Sequence, residues 1–434
     1  MADLPTFFIM TITKKMLLTL LAIVTGGIIC ATVYHGIQAC VFGRGYPYST
    51  FLFRPDVRFT DFTDTLEPAK AFDPYSHGAN YFPLTYVLFH PISCVPWQWS
   101  FVVLFGLSLT TIFIWIRREL LPVAPGAPWL ATLTAAVLLG ISYPSLLCLE
   151  RGNIEYLLLA LVVAFLAAFH RGKHWQAIAW LIPAICIKLY PAALLALYLR
   201  PRRWRYIAVA GGVSLVLSLA SLASFKHSID EDYALMKNQF GSYRIIYLVG
   251  DYAMAGSSSL WGMCKIIDRN IEISSAARER RRAAIERPQK SQRVLRMLHY
   301  FNGTAFVLCI AVAAFVALVE SDSRRRISLL LLFMTLSSPG GADYRLLYII
   351  VAIVSLLAAA NRRPRDFFVL ILMSIVMIPT KYAYLPGIWS DSLYQDVSIQ
   401  ILINPLVLLF AFGLLCADSW AARATDSEVK SRTE

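Results

Sequence analysis

The stretch PWLATLTAAVLLGISYPSLLCLERGNIEYLLLALVVAFLAAFH, residues 128–170, decides the fold class of this chain. Two apolar runs, 128–147 and 154–170, enclose the short polar sequence ERGN at 150–153. A helix needs roughly 17 to 25 apolar residues to cross a bilayer, and both runs reach that range. The pattern therefore predicts two membrane-spanning helices joined by a polar turn.

Similar runs recur along the 434 residues, of which 58% are hydrophobic and 15% are charged. They lack the alternation of a β-barrel, whereas a helix satisfies its own backbone hydrogen bonds inside lipid. The clear spans are 16–40, 98–116, 128–147, 154–170, 205–225, 300–320, 343–360 and 397–417, with shorter ones near 327–338 and 366–379. We expect an all-α polytopic membrane protein. Its first run is too long for a cleaved signal peptide and is expected to be a retained anchor.

The basic residues favour one topology. Two segments leave the count open: 81–96 is broken by prolines, and 175–199 contains Lys188 and Pro191. If the first dips into the membrane without crossing and the second is two short helices, the basic clusters share one side, which is cytoplasmic by the positive-inside rule. These clusters are Lys14/Lys15, Arg117/Arg118, Arg171/Lys173, 200–205, 324–326 and 362–365. The count is then about 12 crossings with both ends inside.

This topology places the acidic residues and unusual motifs on the outer face. It treats 1–434 as a single membrane domain, with long outer loops at 41–80 and 226–299 and a cytoplasmic tail at 418–434. The shorter outer segments are 150–153, 188–190, 337–345 and 380–396. A functional site on the outer membrane surface is implied.

The net charge of +13 does not indicate nucleic-acid binding, because the basic residues lie in short clusters between apolar runs. The eight cysteines are scattered without metal-ligand spacing, and a glycine-rich nucleotide loop is not evident. We therefore expect neither a metal nor a cofactor. The basic run 278–296 is the one cluster left outside, where it contacts anionic headgroups, attracts an anionic substrate, or is a solvated charged face.

Five segments carry a family resemblance. They are TDFTDTLEPAKAFDPY (60–75), YFPLTYVLFHPI (81–92), the region from ERGN to 195, GSSSLWGMCKII (256–267) and SSPGGADYRLLYII (337–350). In this order they resemble glycosyltransferase family 87 of the GT-C superfamily, multi-pass enzymes that use polyprenyl-phosphate sugars. YFPL replaces the family's Tyr-Pro-Pro element and SSSL its Asn-Gln-Ser-Leu element, which leaves the particular sugar open.

The chemistry that this resemblance implies needs one carboxylate. A sugar on a lipid phosphate has a leaving group that departs without a proton, so transfer mainly requires a base for the acceptor hydroxyl. Asp61 resembles the superfamily's first-loop base, with Asp64 as the second choice and Asp56 also possible. The alternative is that these aspartates cap a loop helix or are simply solvated.

Cations near the membrane surface are the candidates for binding the donor phosphate. Lys188 interrupts an apolar stretch, which marks it as functional unless it is a lysine snorkelling from a helix end. Arg151 and Arg345 stand at predicted helix starts on the outer face, where interfacial anchoring is the alternative. The candidate substrate-binding residues are Asn153, Ser257, Ser258, Asp343, Tyr344 and His77. For Asn153 a helix N-cap is equally expected, and for His77 a solvated position.

The resemblance thus implies a GT-C-like bundle of about 12 transmembrane helices with two long extracytoplasmic loops. It implies transfer of mannose or a similar hexose from a polyprenyl-phosphate donor to a glycan or glycolipid acceptor, with inversion. The expected location is a bacterial inner membrane, with the site on the extracytoplasmic side. The main rival function is a transporter or flippase of lipid-linked glycans, which would need the same cations but also internal repeats and midplane charges.

Overall fold

Helices form almost all of the chain in the computed structural model. It describes residues 6–53, 55–199, 203–250, 256–275, 288–359, 363, 365–390 and 395–433. The helices are α1 (Thr6–Cys40), α2 (Thr60–Ala71), α3 (Pro83–Ser93), α4 (Trp97–Leu120), α5 (Pro128–Gly140), α6 (Tyr143–Arg151), α7 (Glu155–His170), α8 (His174–Ile187), α9 (Trp204–Leu222), α10 (Ile229–Tyr243), α11 (Leu260–Ser275), α12 (Pro288–Leu318), α13 (Ser323–Ser337), α14 (Leu347–Leu357), α15 (Asp366–Val376) and α16 (Gln400–Thr433). Strands β1 (Tyr384–Ser390) and β2 (Gln395–Ser398) form a small antiparallel pair.

Several of these helices are suited to a membrane. In the described part of the chain, five are long and apolar enough to cross one, and they lie in α1, α4, α9, α12 and α16. A sixth candidate is the pair α5 and α6, bent by 48°. The shorter apolar helices are α7, α8 and α15. The predicted all-α membrane fold is confirmed, whereas the predicted count of about 12 crossings is not.

Two buried helices show that an apolar run need not face lipid. Every residue of α14 is buried, as is every residue of α13 from Arg325 to Leu336. The apolar run at 343–360, which we interpreted as a full span, is a 3₁₀ turn (Asp343–Leu346) followed by 11 helical residues. A helix that is hydrophobic all round is a core helix as readily as a lipid-facing one.

The two ambiguous segments are short or broken helices, while the predicted dip of 81–96 into the membrane without crossing stays a prediction. Residues Pro83–Ser93 form a helix of 11 residues, about half the length of a span. Helix α8 ends at Ile187, and a 3₁₀ helix starts at Tyr190 and runs to Tyr198. Lys188 lies between the two helices and has an extended backbone. It therefore occupies a break in the helical structure, shortly before a proline.

Neither predicted outer loop is a plain loop. The first contains α2, and the second contains α10, a π-helix (Arg244–Val249), α11 and the start of α12. Helix α2 is anchored by Phe62, which is fully buried with its ring 5.5 Å from that of Phe101 and 5.9 Å from that of Phe105. The helix that carries the candidate base is therefore packed onto α4.

Candidate active site

Asp61 lies in the first turn of α2 and faces the turn between α6 and α7. Its Oδ1 forms an ion pair with the guanidinium of Arg151, and its Oδ2 accepts a hydrogen bond of 2.6 Å from Asn153 Nδ2. Arg151 also donates to the carbonyl oxygen of Val57, at 3.0 Å. Three residues predicted from two separate motifs are thus in direct contact.

Gly152 allows this contact. Its φ is +63°, in the left-handed region, and a Cβ there would lie 2.8 Å from the Cβ of Phe62. Glycine adopts this backbone without the steric cost that a side chain brings. The close approach of the turn to α2 sets Arg151 and Asn153 on the two oxygens of Asp61. Arg151 is the last residue of α6, not the helix start that we expected.

Asn153 does two things at once. Its Oδ1 accepts the backbone N–H of Glu155 at 3.1 Å, in the first turn of α7, while its Nδ2 donates to Asp61. Asn153 thus holds Asp61 and accepts a backbone N–H of the first turn of α7, although the N-cap residue is Ile154, and its contact with a substrate stays a prediction. The side chain is buried, so its orientation is fixed.

Glu155 organises the second half of the site. Its Oε1 accepts from Lys188 Nζ at 2.7 Å and lies 3.8 Å from Arg345 Nε. Its Oε2 accepts from the hydroxyl of Tyr190 and, at 3.0 Å, from that of Tyr348. Glu155 is fully buried, and sequence reasoning missed it. The available signal was a carboxylate at the start of an apolar run, the same signal that identified Lys188.

Aromatic rings connect the two halves. Lys188 Nζ lies 4.9 Å from the ring centroid of Tyr81 and 6.0 Å from that of Tyr344. Burial raises the pKa of Tyr81, and the charges of Asp61 and Glu155 raise it further, which places this ring near both carboxylates. The predicted Tyr344 therefore lies beside the predicted Lys188.

We call Asp61, Arg151, Glu155, Lys188 and Arg345 the site cluster. It contains three cations and two carboxylates, and Lys188 and Arg345 share one carboxylate. The side chains of Arg151, Lys188, Arg345 and Asp61 remain 19%, 13%, 14% and 16% exposed. The cluster is cation-rich and incompletely covered, which suits it to an anion that arrives from outside.

Asp343 and Ser258 belong to a different arrangement. The two are hydrogen-bonded to each other and buried. Asp343 Oδ2 accepts from Tyr143 at 2.5 Å and from Gln400 Nε2 at 3.2 Å, and Ser258 Oγ accepts from Asn404 Nδ2 at 2.9 Å. This network joins α6, α16 and the two loop motifs. Substrate contact by Asp343 or Ser258 stays a prediction, and the structure assigns them this link.

The remaining predicted residues lie apart from the site cluster's contacts. Ser257 Oγ donates to the carbonyl oxygen of Gly341 at 3.3 Å. His77 contacts the backbone oxygen of Asp73 through Nδ1, at 2.8 Å. Asp64 is exposed on α2; burial of part of its carboxyl and the charge of Asp61 raise its pKa.

Lys381 is a further cation that sequence reasoning missed. It is buried, and its Nζ donates to the carbonyl oxygen of Phe51 at 3.0 Å. It lies 5.8 Å from the ring centroid of Phe53, whose ring is also 5.0 Å from the guanidinium of Arg151. One aromatic ring thus lies next to two cations at the edge of the site.

Comparison with known protein families identifies the family of this chain. The family model "Glycosyltransferase family 87" matches residues 80–339, which is more than half of the 434 residues. The matched region includes Arg151, Glu155 and Lys188, while Asp61 precedes it and Arg345 follows it. Searches of curated proteins and of solved structures returned no match.

Proposed function

We propose, from the premise that this chain belongs to glycosyltransferase family 87, that it transfers a sugar from a polyprenyl-phosphate donor to an acceptor hydroxyl at the site cluster. The family makes the chain a membrane glycosyltransferase. The observation that carries the proposal is the contact of Asp61 with Arg151 and Asn153, beside a second cation pair on Glu155.

The cations are proposed to bind the donor phosphate. Lys188 and Arg345 share the charge of one carboxylate, so the pair has positive charge left for an anionic oxygen. Arg151 is committed to Asp61 and is the weaker phosphate ligand of the three. In a site screened from water, each charge-assisted contact is stronger than at an open surface.

Asp61 is proposed as the base. A carboxylate has about four acceptor positions, and the contacts with Arg151 and Asn153 use one on each oxygen. A free position can accept the proton of the acceptor hydroxyl. In the transfer step, the acceptor oxygen forms a bond to the anomeric carbon. The bond from that carbon to the phosphate oxygen breaks, its electron pair stays on the phosphate, and the proton passes to Asp61. Attack from the side opposite the phosphate inverts the anomeric carbon.

The substrates follow from the family resemblance. We propose mannose or a similar hexose as the sugar, and a glycan or glycolipid as the acceptor. The proposed location is a bacterial inner membrane, with the site cluster on the extracytoplasmic side, where nucleotide sugars are absent and a lipid-linked donor is needed. No metal or cofactor takes part in the proposed step.

The test is transfer of labelled hexose from a synthetic polyprenyl-phosphate donor by purified protein. We expect Asp61→Asn to lower kcat by about 10²- to 10⁴-fold, the usual contribution of a general base. The matched control is Asp230→Asn, an exposed carboxylate on α10 that should retain wild-type turnover.

Two results would count against the proposal. Wild-type turnover in a folded Asp61→Asn variant removes Asp61 as the base. Movement of the intact donor across liposomes by wild-type protein, without transfer to any acceptor in a broad panel, favours the flippase alternative.

A further inference from the structure

A second group of ionisable side chains lies where the segment after α2 meets the start of α10. It consists of Asp73, His227 and Asp232, which come from three places in the sequence. One donor atom from each, a carboxylate oxygen or an imidazole nitrogen, lies within 4.8 Å of the other two. None of the three belongs to the site cluster.

Asp232 is the unusual member. Its residue exposure is 0%, and neither carboxylate oxygen has a hydrogen-bond partner. Helix capping does not explain its presence in the first turn of α10, because Ser228 and Glu231 already form a complete capping box there. An isolated ionised carboxylate is costly to bury, so this one is expected either to take up a proton or to pair with a cation.

Asp73 and His227 approach from the other sides. Asp73 is buried, and its Oδ1 lies 3.3 Å from His227 Nε2, so the two form an ion pair when the imidazole is protonated. The His227 side chain is 39% exposed and closes the group from the solvent side. His77 contacts the backbone oxygen of Asp73 at 2.8 Å and so helps to fix that residue.

We propose that Asp73, His227 and Asp232 bind one divalent transition-metal ion, with Zn²⁺ as the best fit. Two carboxylate oxygens and an imidazole nitrogen are borderline donors that suit Zn²⁺ better than Ca²⁺ or Mg²⁺, which prefer oxygen alone. In a tetrahedral site, zinc–ligand distances of about 2.0 to 2.2 Å place any two ligands about 3.3 to 3.6 Å apart. The donor atoms, which lie within 4.8 Å of one another, need to close by no more than about 1.5 Å, and the exposed His227 side chain can supply part of this movement.

Such an ion would fasten α10 to the segment that follows α2. One contact already joins them, a hydrogen bond of 3.0 Å from Gln239 Nε2 to the carbonyl oxygen of Tyr75. Helix α10 leads directly into the π-helix (Arg244–Val249). The metal would therefore hold this part of the region 226–299 in place from a position outside the site cluster, as a structural ion and not as part of the transfer step.

The test uses the full chain in detergent, with any affinity tag removed and bound metal stripped by a chelator. Zinc binding is measured by calorimetry, and zinc content after dialysis by mass spectrometry. We expect one Zn²⁺ per chain and a higher Tm in its presence. We expect Asp232→Asn and His227→Ala each to weaken binding by more than about 100-fold, beyond the loss typical of a residue that only supports a ligand.

Controls separate this site from the rest of the surface. Asp230→Asn, in the same helical turn, and His299→Ala, an exposed histidine on α12, should bind zinc like the wild type. His227→Ala removes an exposed side chain and should fold even if Asp232→Asn does not. The proposal is overturned if the wild type takes up no stoichiometric zinc, if it binds only Ca²⁺ or Mg²⁺, or if stoichiometric zinc binding survives His227→Ala.

Discussion

Two charged clusters in this molecule are built from the same residue types and differ in charge balance and in exposure to solvent. The site cluster has three cations, two carboxylates and partial exposure. The second, which we call the arginine cluster, joins α13, α15 and α16. It comprises Arg325, Arg363 and Arg365 in ion pairs with Glu320, Asp366 and Asp418.

The arginine cluster balances three cations with three carboxylates around a side chain that is 0% exposed, Arg325. The charge of Arg325 at its centre has no access for a ligand and serves to hold helices together, whereas Arg365 at the rim is 53% exposed. The site cluster leaves one cation in excess and keeps an open side. The difference teaches that a charged cluster in this fold suggests binding when its charge is unbalanced and reachable, and structure when it is balanced and closed.

The largest effect on stability is expected at the centre of the arginine cluster. Arg325→Met leaves buried Glu320 and Asp366 without their shared partner, which should lower the free energy of unfolding by about 3–5 kcal/mol. Thermal unfolding of the purified protein measures this. The control Arg171→Met changes an exposed arginine and should leave Tm nearly unchanged. An equally stable Arg325→Met variant would break the comparison.

A smaller effect, on binding more than on stability, is expected at Lys188. Lys188→Gln keeps a polar group near Glu155 but removes the charge proposed to bind the donor phosphate. The loss of a charge-assisted contact of about 1.5–3 kcal/mol predicts a KM for the donor about 10- to 100-fold higher. Steady-state kinetics would show this, with the exposed Lys237→Gln as control. An unchanged donor KM would mean that Lys188 serves Glu155 alone.

Gly152→Ala tests how closely the ERGN turn must approach α2. The added methyl group meets Phe62 at 2.8 Å and also forces a non-glycine residue into the left-handed region. We expect a loss of about 1–3 kcal/mol in stability and reduced turnover, because Arg151 and Asn153 move relative to Asp61. Gly172→Ala is a useful comparison, since that glycine also has positive φ but open space around it, so it isolates the backbone cost.

The smallest effect is expected at Asp64, the second-choice base. Its pKa is raised in the folded state, by burial and then by Asp61, so its ionisation opposes folding as the pH rises through the carboxyl range. Asp64→Asn should therefore raise stability at pH 7, by no more than about 0.5 kcal/mol at this exposed position, and the gain should vanish in acid. Unfolding measured at both pH values checks the sign. Loss of turnover in this variant would move the base from Asp61 to Asp64.

Sequence reasoning identified the residues around Asp61 because each was carried by a short local motif. Asp61 stood in an acidic segment, Arg151 and Asn153 in a polar turn between apolar runs, and Lys188 in an apolar stretch. Each of these residues is unusual in its local sequence, and the predicted topology placed all of them on the outer face of the membrane. Their roles in catalysis stay predictions.

The sequence could not show which partners these residues choose. Glu155, Tyr190 and Tyr348 come together from three separate helical segments, a tertiary pairing that no local pattern encodes. The helix α2 was expected only as one alternative, a loop helix capped by an aspartate, since the segment is short and contains Pro68. Its formation depends on burial of Phe62 more than on propensity.

The number of spans was the weakest prediction for a related reason. A hydropathy scale reports how strongly side chains prefer a water-free environment, and it does not distinguish lipid from a protein interior. The buried helices α13 and α14 therefore have the apolar composition of lipid-facing helices. The basic segments 324–326 and 362–365 similarly count as cytoplasmic markers, yet Arg325 and Arg363 are taken up by the arginine cluster. Some of the arginines that determined the predicted topology therefore form ion pairs within the protein.

The sharing of Glu155 between Lys188 and Arg345 affects how readily the spent lipid phosphate is released after transfer. In the proposed reaction the donor is a phosphodiester with one negative charge, and the spent lipid is a phosphomonoester with up to about two. The surplus positive charge then favours the later species, which helps the leaving group to depart but also retains it. The enzyme would thus be slowed by its own lipid by-product, and added polyprenyl phosphate should compete with the donor.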